Sequence, residues 1–485
     1  MTITRRHFCG LTACGLAAGL SGCAVNPATG ERDLILVNPS EEKQIGLKEH
    51  PKILAQFGGV YDDPNTTGYV ASIGERLAAT TETPSLGFTF TLLNSPIVNA
   101  FALPGGFVYI SRGLMALAGD EAELAGVLGH EIGHVVARHS AQRQSQAMLA
   151  QLGVGLLGTV AGRESTQLAG TVAGLYLRGY SRNQELEADM LGVRYMRRAG
   201  YGVNAMASFL ERMRANSRLE AQIADRSPDE VDQFDITATH PRTVDRVQRA
   251  VSLSGGPSGG QRLRKTYLDT INGMVFGDGP EQGYVLGLRF AHPKLRFEFS
   301  VPKGFKLQNR PDQVVGTSKQ YKAAIFLSAA PKPYQGRMTG YLANVWARGA
   351  RLNDLEAITI NGLEAATCWF RARNNTAVYR LIAIRFAAQQ IFRLAFMAAP
   401  STMKQLSGSF QRSTYSFRRL TPARAKALKP KRLRVVRISP NDTIANLSTR
   451  MAFDRFRQER FVTLNGLKEA DPLATRRLVK LVVQT

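Results

Sequence analysis

The sequence predicts a multidomain chain: a mostly α (α+β) domain with a small edge-strand sheet, then an α/β sandwich-like domain, then a small βααβ module. Three observations carry that reading. The chain has 485 residues, about three times an ordinary domain. Two breaker-rich stretches interrupt it: Leu253 to Gly260, with four Gly, a Pro and two Ser, and the Pro/Lys/Arg-rich Thr421 to Arg434. Between and around them the hydrophobic pattern changes, from mixed helical and strand-like segments before residue 250 to strand-like runs such as Phe297–Val301 and Tyr379–Phe386. The boundaries expected are 1–23 for an export signal, 24–40 for a tether, 41–252 for the first domain and 253–285 for a linker. They continue with 286–420 for the α/β domain, 421–433 for a basic linker and 434–485 for the closing module.

Charge divides the chain in another way. Residues 281–485 hold 36 Lys and Arg against 11 Asp and Glu, whereas residues 1–280 hold 26 against 27. A block this basic attracts polyanionic surfaces whatever its fold. The N-terminus indicates which surface. Arg5-Arg6 with Phe8, an apolar run from Leu11 to Leu20 and then Leu20-Ser21-Gly22-Cys23 follow the order of a bacterial export signal. The twin arginine resembles the signal of that name, and Leu-Ser-Gly-Cys resembles a lipobox, in which Cys23 is acylated. The run is too short to span a bilayer of about 30 Å. A periplasmic, lipid-anchored chain is expected, which excludes nucleic acid and leaves anionic membrane or peptidoglycan for the basic half. Once the signal is removed Cys368 is the one further cysteine, so no internal disulfide is expected. Ala147 to Gly162 is apolar, contains four Gly and falls short of a spanning helix; it reads as a mobile segment near the functional residues described next, with a re-entrant or membrane-dipping hairpin as the alternative.

Chemistry concentrates in His130-Glu131-Ile132-Gly133-His134. Asp120 is placed to cap a helix, with Glu123 completing a capping box, and Leu124, Val127, Leu128 and Val135 give it an apolar face. On that helix His130 and His134 lie one turn apart and can reach one zinc ion, while Glu131 stands beside the ion as a base for its water. A catalytic zinc takes three protein ligands. His139 lies about 140° round the helix from His134 and is set aside. Glu185 and Asp189 share one face of a second predicted helix, with Glu187 pointing away; one carboxylate can bind the metal and the other can orient a ligand histidine.

These residues, with Asn99-Ala100-Phe101-Ala102-Leu103-Pro104-Gly105-Gly106 upstream and Thr239-His240-Pro241 and Arg246 downstream, resemble the HtpX and BepA type of gluzincin metallopeptidases, which include the CAAX prenyl proteases. The resemblance covers about residues 40–250, with the motifs in the family's order. It implies one zinc per chain, Glu185 as third ligand, Asp189 as its hydrogen-bonded support, and His240 and Arg246 lining the site. His240 then either stabilises the oxyanion or occupies the fourth metal position of a latent enzyme. It also implies that Asn99, Ala100, Phe101 and Ala102 form an edge that pairs with an extended substrate, so unfolded or misfolded envelope proteins are the expected partners.

Residues 434–483 are similar to a LysM module, although Asn441 stands where Gly is usual before Asp442, and Ala474-Thr475 replace Pro-Gly. Residues 286–420 are similar to the PsbP type of sandwich and show no catalytic constellation; Cys368 beside Trp369 reads as a buried thiol. The expected function is a zinc endopeptidase of the bacterial envelope. The competing expectations are a wall-bound scaffold with a latent site and a peptidoglycan peptidase using the same chemistry.

Overall fold

The computed structural model describes residues 23–157, 179–228, 244–253, 256, 259–372, 376–467, 473 and 477–484. The chain forms two compact units. One comprises the chain up to Phe276 together with Arg432–Val483, and the other is Gly277–Lys431 with the last two residues.

The first unit is built on buried helices. After an antiparallel hairpin, β1 (Cys23–Val25) and β2 (Arg32–Leu34), come α1 (Pro39–Gln56) and α2 (Pro64–Ala78). A three-stranded sheet follows: β3 (Thr89–Leu93), β4 (Ala100–Leu103) and β5 (Phe107–Ser111), in the order β3-β5-β4. Strand β5 is parallel to β3 and antiparallel to β4, which leaves β4 at one edge. The turn Pro104-Gly105-Gly106 closes the β4–β5 hairpin. Gly105 has φ 77°, and a Cβ there would lie 2.6 Å from the Lys43 Cα, so only glycine lets the turn approach α1. Then come α3 (Arg112–Leu117), α4 (Glu121–Val136), α5 (His139–Leu157), α6 (Arg182–Arg198), α7 (Asn204–Ile223), α8 (Val244–Leu253) and α9 (Arg264–Ile271).

Helix α4 is buried on every side, which marks it as the central element of the core. Asp120 caps it by accepting the Glu123 N–H at 2.9 Å. Glu123 does not complete the expected capping box. Its carboxylate accepts the Gly119 N–H at 2.7 Å and pairs with the buried Arg212 at 3.2 Å, because a carboxylate this deep requires a charged partner.

Several expected boundaries are revised. The 24–40 tether is the hairpin and the first residues of α1, with Ile35 and Val37 buried. The 253–285 linker contains α9, whose Tyr267, Leu268 and Ile271 lie in the unit's core. Residues 434–485 are no separate module. The strands Lys431–Arg437 and Leu478–Gln484 flank α10 (Ile444–Thr449) and α11 (Arg457–Asn465) in βααβ order, and form a sheet with β6 (Val275–Phe276). Leu433, Leu447, Phe461, Val479 and Leu481 join the same apolar cluster as Leu124, Leu128 and Tyr195. The reason is polar as well as apolar. Asn465 brackets the backbone of Lys480 through its amide, at 2.9 and 2.8 Å. The buried Lys480 ammonium donates to the carbonyls of Ala116, Leu117 and Ala118 at 2.7, 3.1 and 2.7 Å, completing the C-terminal end of α3.

The second unit is a seven-stranded antiparallel sheet with Lys306–Asn309 at one edge and Asn353–Ile360 at the other, and a four-stranded sheet including Arg289–His292 and Phe297–Ser300. The expected basic linker 421–433 is ordered as a helix, Pro422–Ala427, and the start of a strand. Cys368 is buried, and burial pushes its thiol up to about 11, which makes it inert at neutral pH.

Candidate metal centre

The site is made where α4 crosses α6. Ser181 and Gln184 form a capping box at the start of α6, so Glu185 and Asp189 fall in its first two turns. The helices cross at glycines. A Cβ on Gly129 would lie 3.2 Å from the Gly192 carbonyl oxygen, and one on Gly192 would lie 3.0 Å from the His130 nitrogen. That near backbone contact lets short carboxylate side chains on α6 reach the histidines on α4.

His130 Nε2 lies 3.0 Å from His134 Nε2, and 3.7 Å from Glu185 Oε2; His134 Nε2 lies 3.6 Å from Glu185 Oε1. All three residues are buried, and their ligand atoms lie within 4.8 Å of one another. Tetrahedral ligands at 2.0–2.1 Å from zinc stand about 3.3 Å apart. The observed spacings bracket that value, so two neutral imidazoles and a carboxylate suit zinc in donor type and in geometry. Glu131 is fully buried on the same helix.

The supports of the two histidines differ. His130 Nδ1 pairs with Asp189 Oδ1 at 2.8 Å, and Asp189 Oδ2 takes the Arg246 Nε–H at 2.5 Å. Arg246 also stands 3.0 Å from Glu185 Oε2, so it balances both carboxylates. His134 Nδ1 meets His139 Nδ1 at 2.8 Å. His139, excluded as a ligand by helical geometry, is thus the neighbour that orients one. Helix α4 stops at Val136, and Arg138 takes the left-handed φ of 57°, turning the chain so that His139 comes back toward His134. The Arg138 guanidinium is tied to Glu42 and to the Val37 carbonyl, each at 2.7 Å. Nothing in the local sequence marks this break, since a non-glycine residue makes it.

Glu187, expected to point away, is away from the ligand triad but accepts from His139 Nε2 at 3.3 Å. Burial works against its ionised form, and the hydrogen bonds from His139 and Asn26 outweigh that, leaving its carboxyl below the usual range. Tyr180 was not singled out from sequence. Its ring stacks on His134 with centroids 3.9 Å apart, and its hydroxyl bonds Ser140 Oγ at 2.9 Å. Burial raises the Tyr180 hydroxyl, against Arg143 and the Ser140 bond that work the other way. Of the remaining expected residues, Ala100, Phe101 and Ala102 lie in β4, which packs on α4, with Asn99 directly before it. His240, residues 1–22 and residues 158–162 of the apolar segment lie outside the described residues, as does the Cys23 side chain.

Residues 64–254 match the family model described as Peptidase family M48. These residues are similar to that family. The chain is 34% identical over 200 residues to a putative beta-barrel assembly-enhancing protease of Vibrio cholerae, covering 39% of each chain. It is 37% identical over 166 residues to the beta-barrel assembly-enhancing protease of Yersinia pestis, covering 32% of this chain and 34% of that one. It is also 28% identical over 230 residues to the mitochondrial metalloendopeptidase OMA1 of Schizosaccharomyces pombe, covering 46% of this chain and 64% of that one. The chain therefore spans under two-fifths of the length of these two bacterial relatives. Among solved structures, cyanobacterial PsbP from Synechocystis aligns with a TM-score of 0.23 and 17% identity over 29% of this chain and 99% of that one, a likeness too slight to argue from. Among the described residues no helix is long and apolar enough to cross a membrane.

Proposed function

We propose that the chain is a zinc endopeptidase of the bacterial envelope, holding one zinc through the M48 domain's His130, His134 and Glu185. It hydrolyses peptide bonds in unfolded or misassembled proteins. The observation that carries the reading is the convergence of three buried ligand atoms beside a fourth buried residue, Glu131, whose carboxylate the metal does not need. Bound zinc supplies Lewis-acid polarisation and brings the pKa of a water to about 7. Glu131 takes the proton of the attacking water and delivers it to the departing amide nitrogen. Arg246 and Asp189 fix Glu185 and His130. His240 serves as oxyanion donor, or else blocks the site in a latent form.

Substrate docking is assigned to β4. The Ser111 N–H donates to the Asn99 carbonyl at 3.0 Å, so in this antiparallel pair residues 99, 101 and 103 bond to β5. Ala100 and Ala102 then direct their N–H and C=O outward from the edge. A peptide added there is read through its backbone, which suits unfolded chains and the beta-barrel assembly named for the bacterial relatives. Short branched wall peptides cannot pair in this way. Lipid attachment at Cys23 and a wall-binding or membrane-binding role for the basic half complete the proposal.

The deciding experiment is Glu131→Gln, assayed on casein and on wall fragments with zinc content measured alongside. Turnover of casein should fall by at least about 10²–10⁴-fold with zinc retained. Envelope integrity restored by Glu131→Gln as well as by wild type would overturn the peptidase reading in favour of a scaffold.

A further inference from the structure

The hairpin Cys23–Leu34 ends its hydrogen bonds on the metal centre. Its turn is closed by the Asn26 N–H to the Glu31 carbonyl at 2.7 Å and the Gly30 N–H to the Asn26 carbonyl at 2.8 Å. Asn26 is 2% exposed, and its side-chain oxygen accepts the Ala28 N–H at 3.0 Å. That leaves its amide nitrogen as the outward donor, to Glu187 Oε1 at 2.9 Å and to Asp33 Oδ2 at 3.2 Å. Asp33 also accepts from Gln142 on α5 at 2.7 Å, and Gln142 accepts from Gln184 on α6 at 2.7 Å. The hairpin is thereby held to both helices that carry the supports of His134.

Counting protons fixes the direction of the chain of bonds. His134 turns Nε2 toward His130 and Glu185, so a metal takes that lone pair and the ring proton sits on Nδ1. It donates to His139 Nδ1, whose own proton is then on Nε2 and goes to Glu187. The two Asn26 amide protons satisfy the two carboxylates, one each. Each of these bonds then has one donor and one acceptor, and His134 keeps the neutral ring that zinc ligation requires.

We propose that the N-terminal hairpin is a positioning element of the metal centre, acting on His134 through Asn26, Glu187 and His139. The proposal rests on His130, His134 and Glu185 being the zinc site. Its consequence is that metal retention depends on a segment that begins at Cys23 and lies outside the residues that match the M48 family, so that undocking the hairpin loosens the zinc.

The test uses the full chain, with zinc affinity measured by competition with a chromophoric chelator and ligand geometry by the visible spectrum of the cobalt-substituted protein. His139→Ala and Glu187→Ala should weaken zinc binding by about 10–100-fold and alter the cobalt spectrum, and Asn26→Ala should act in the same direction by less. His139→Gln should recover most of the loss, since its amide can accept from His134 and donate to Glu187. His139→Leu, which restores bulk alone, should not. If His139→Ala does not fold, Asn26→Ala and Glu187→Gln decide. Zinc affinity and cobalt spectra equal to wild type in Asn26→Ala and Glu187→Gln would overturn the hairpin's role. A wild-type chain that takes up no zinc would instead overturn the metal centre itself.

Discussion

The unit that holds the M48-like residues and the insertion at residues 277–431 handle charge in opposite ways. In the first, Arg112, Glu121, Glu123, Glu131, Glu185, Asp189 and Lys480 are all at most 3% exposed. In the second, 25 Lys and Arg stand against seven Asp and Glu, and among its described acids Glu298 alone is buried. Its interior is aromatic instead: Phe297 stacks on Phe417 with centroids 5.4 Å apart, and Phe396 on Phe410 at 4.5 Å. Burying ionic groups is costly unless each is paired. The first unit meets that cost with networks that also build a metal centre. The second avoids it and sends its charge to the surface, where it acts at a distance on anions.

The largest expected effect comes from cutting the first unit at its less obvious end. Deleting residues 432–485 removes a strand pair, two helices and the Lys480 cap, so the first unit should lose cooperative unfolding and zinc binding together. Excising residues 278–430 should do neither. β6 and the strand from Lys431 lie side by side, with the Gly273 N–H donating to the Leu433 carbonyl at 2.8 Å, so a short Gly-Ser linker can join them. An excised protein that cannot fold would break the division into two units. Gly192→Val is expected next in size. The added carbons meet the His130 backbone, forcing α4 and α6 apart at a cost of about 1–3 kcal/mol, and zinc affinity should fall even where the protein still folds.

Lys480→Met sharpens the same point with a smaller change. It keeps the apolar stem and removes the ammonium, leaving three buried carbonyls at the end of α3 short of a donor. Thermal or denaturant unfolding should show a loss of roughly 2–4 kcal/mol. Burial first, and the nearby Arg212 and Arg264 cations after it, pull the Lys480 ammonium below its usual range, but three acceptors call for all three of its protons.

The ligand set was legible because helical spacing puts His130 and His134 on one face, and because Glu185 and Asp189 repeat that spacing on α6. The hairpin Asn99–Gly106 was legible from its Pro-Gly-Gly turn. What the sequence hid depends on long-range geometry. Asn26 lies 161 residues from Glu187, and no local pattern links an apparent tether to a helix. His139 was misplaced by assuming that α4 continues through Arg138. The C-terminal segment looked independent because a Pro-rich, Lys-rich stretch precedes it, whereas its apolar residues complete a core begun some 300 residues earlier.

The smallest effect expected is a pH response confined to the insertion. His292 is 7% exposed, and its Nδ1 accepts the Leu295 N–H at 3.1 Å. An imidazole accepting at Nδ1 is neutral, and burial agrees, lowering its pKa to about 4 against a contact with Glu281 that works the other way. Between pH 6.5 and about 4 the unfolded chain therefore binds a proton that the folded unit refuses. Stability is full above the unfolded pKa and falls with acidification, by roughly 3 kcal/mol at most from a shift of this size. Acid titration followed by near-ultraviolet circular dichroism of the excised insertion should show that slope, and His292→Gln, which can still accept from Leu295 but does not titrate, should flatten it. A slope unchanged in His292→Gln would mean that another group carries the acid sensitivity, and the insertion's aromatic core would then not be the acid-sensitive part of the molecule.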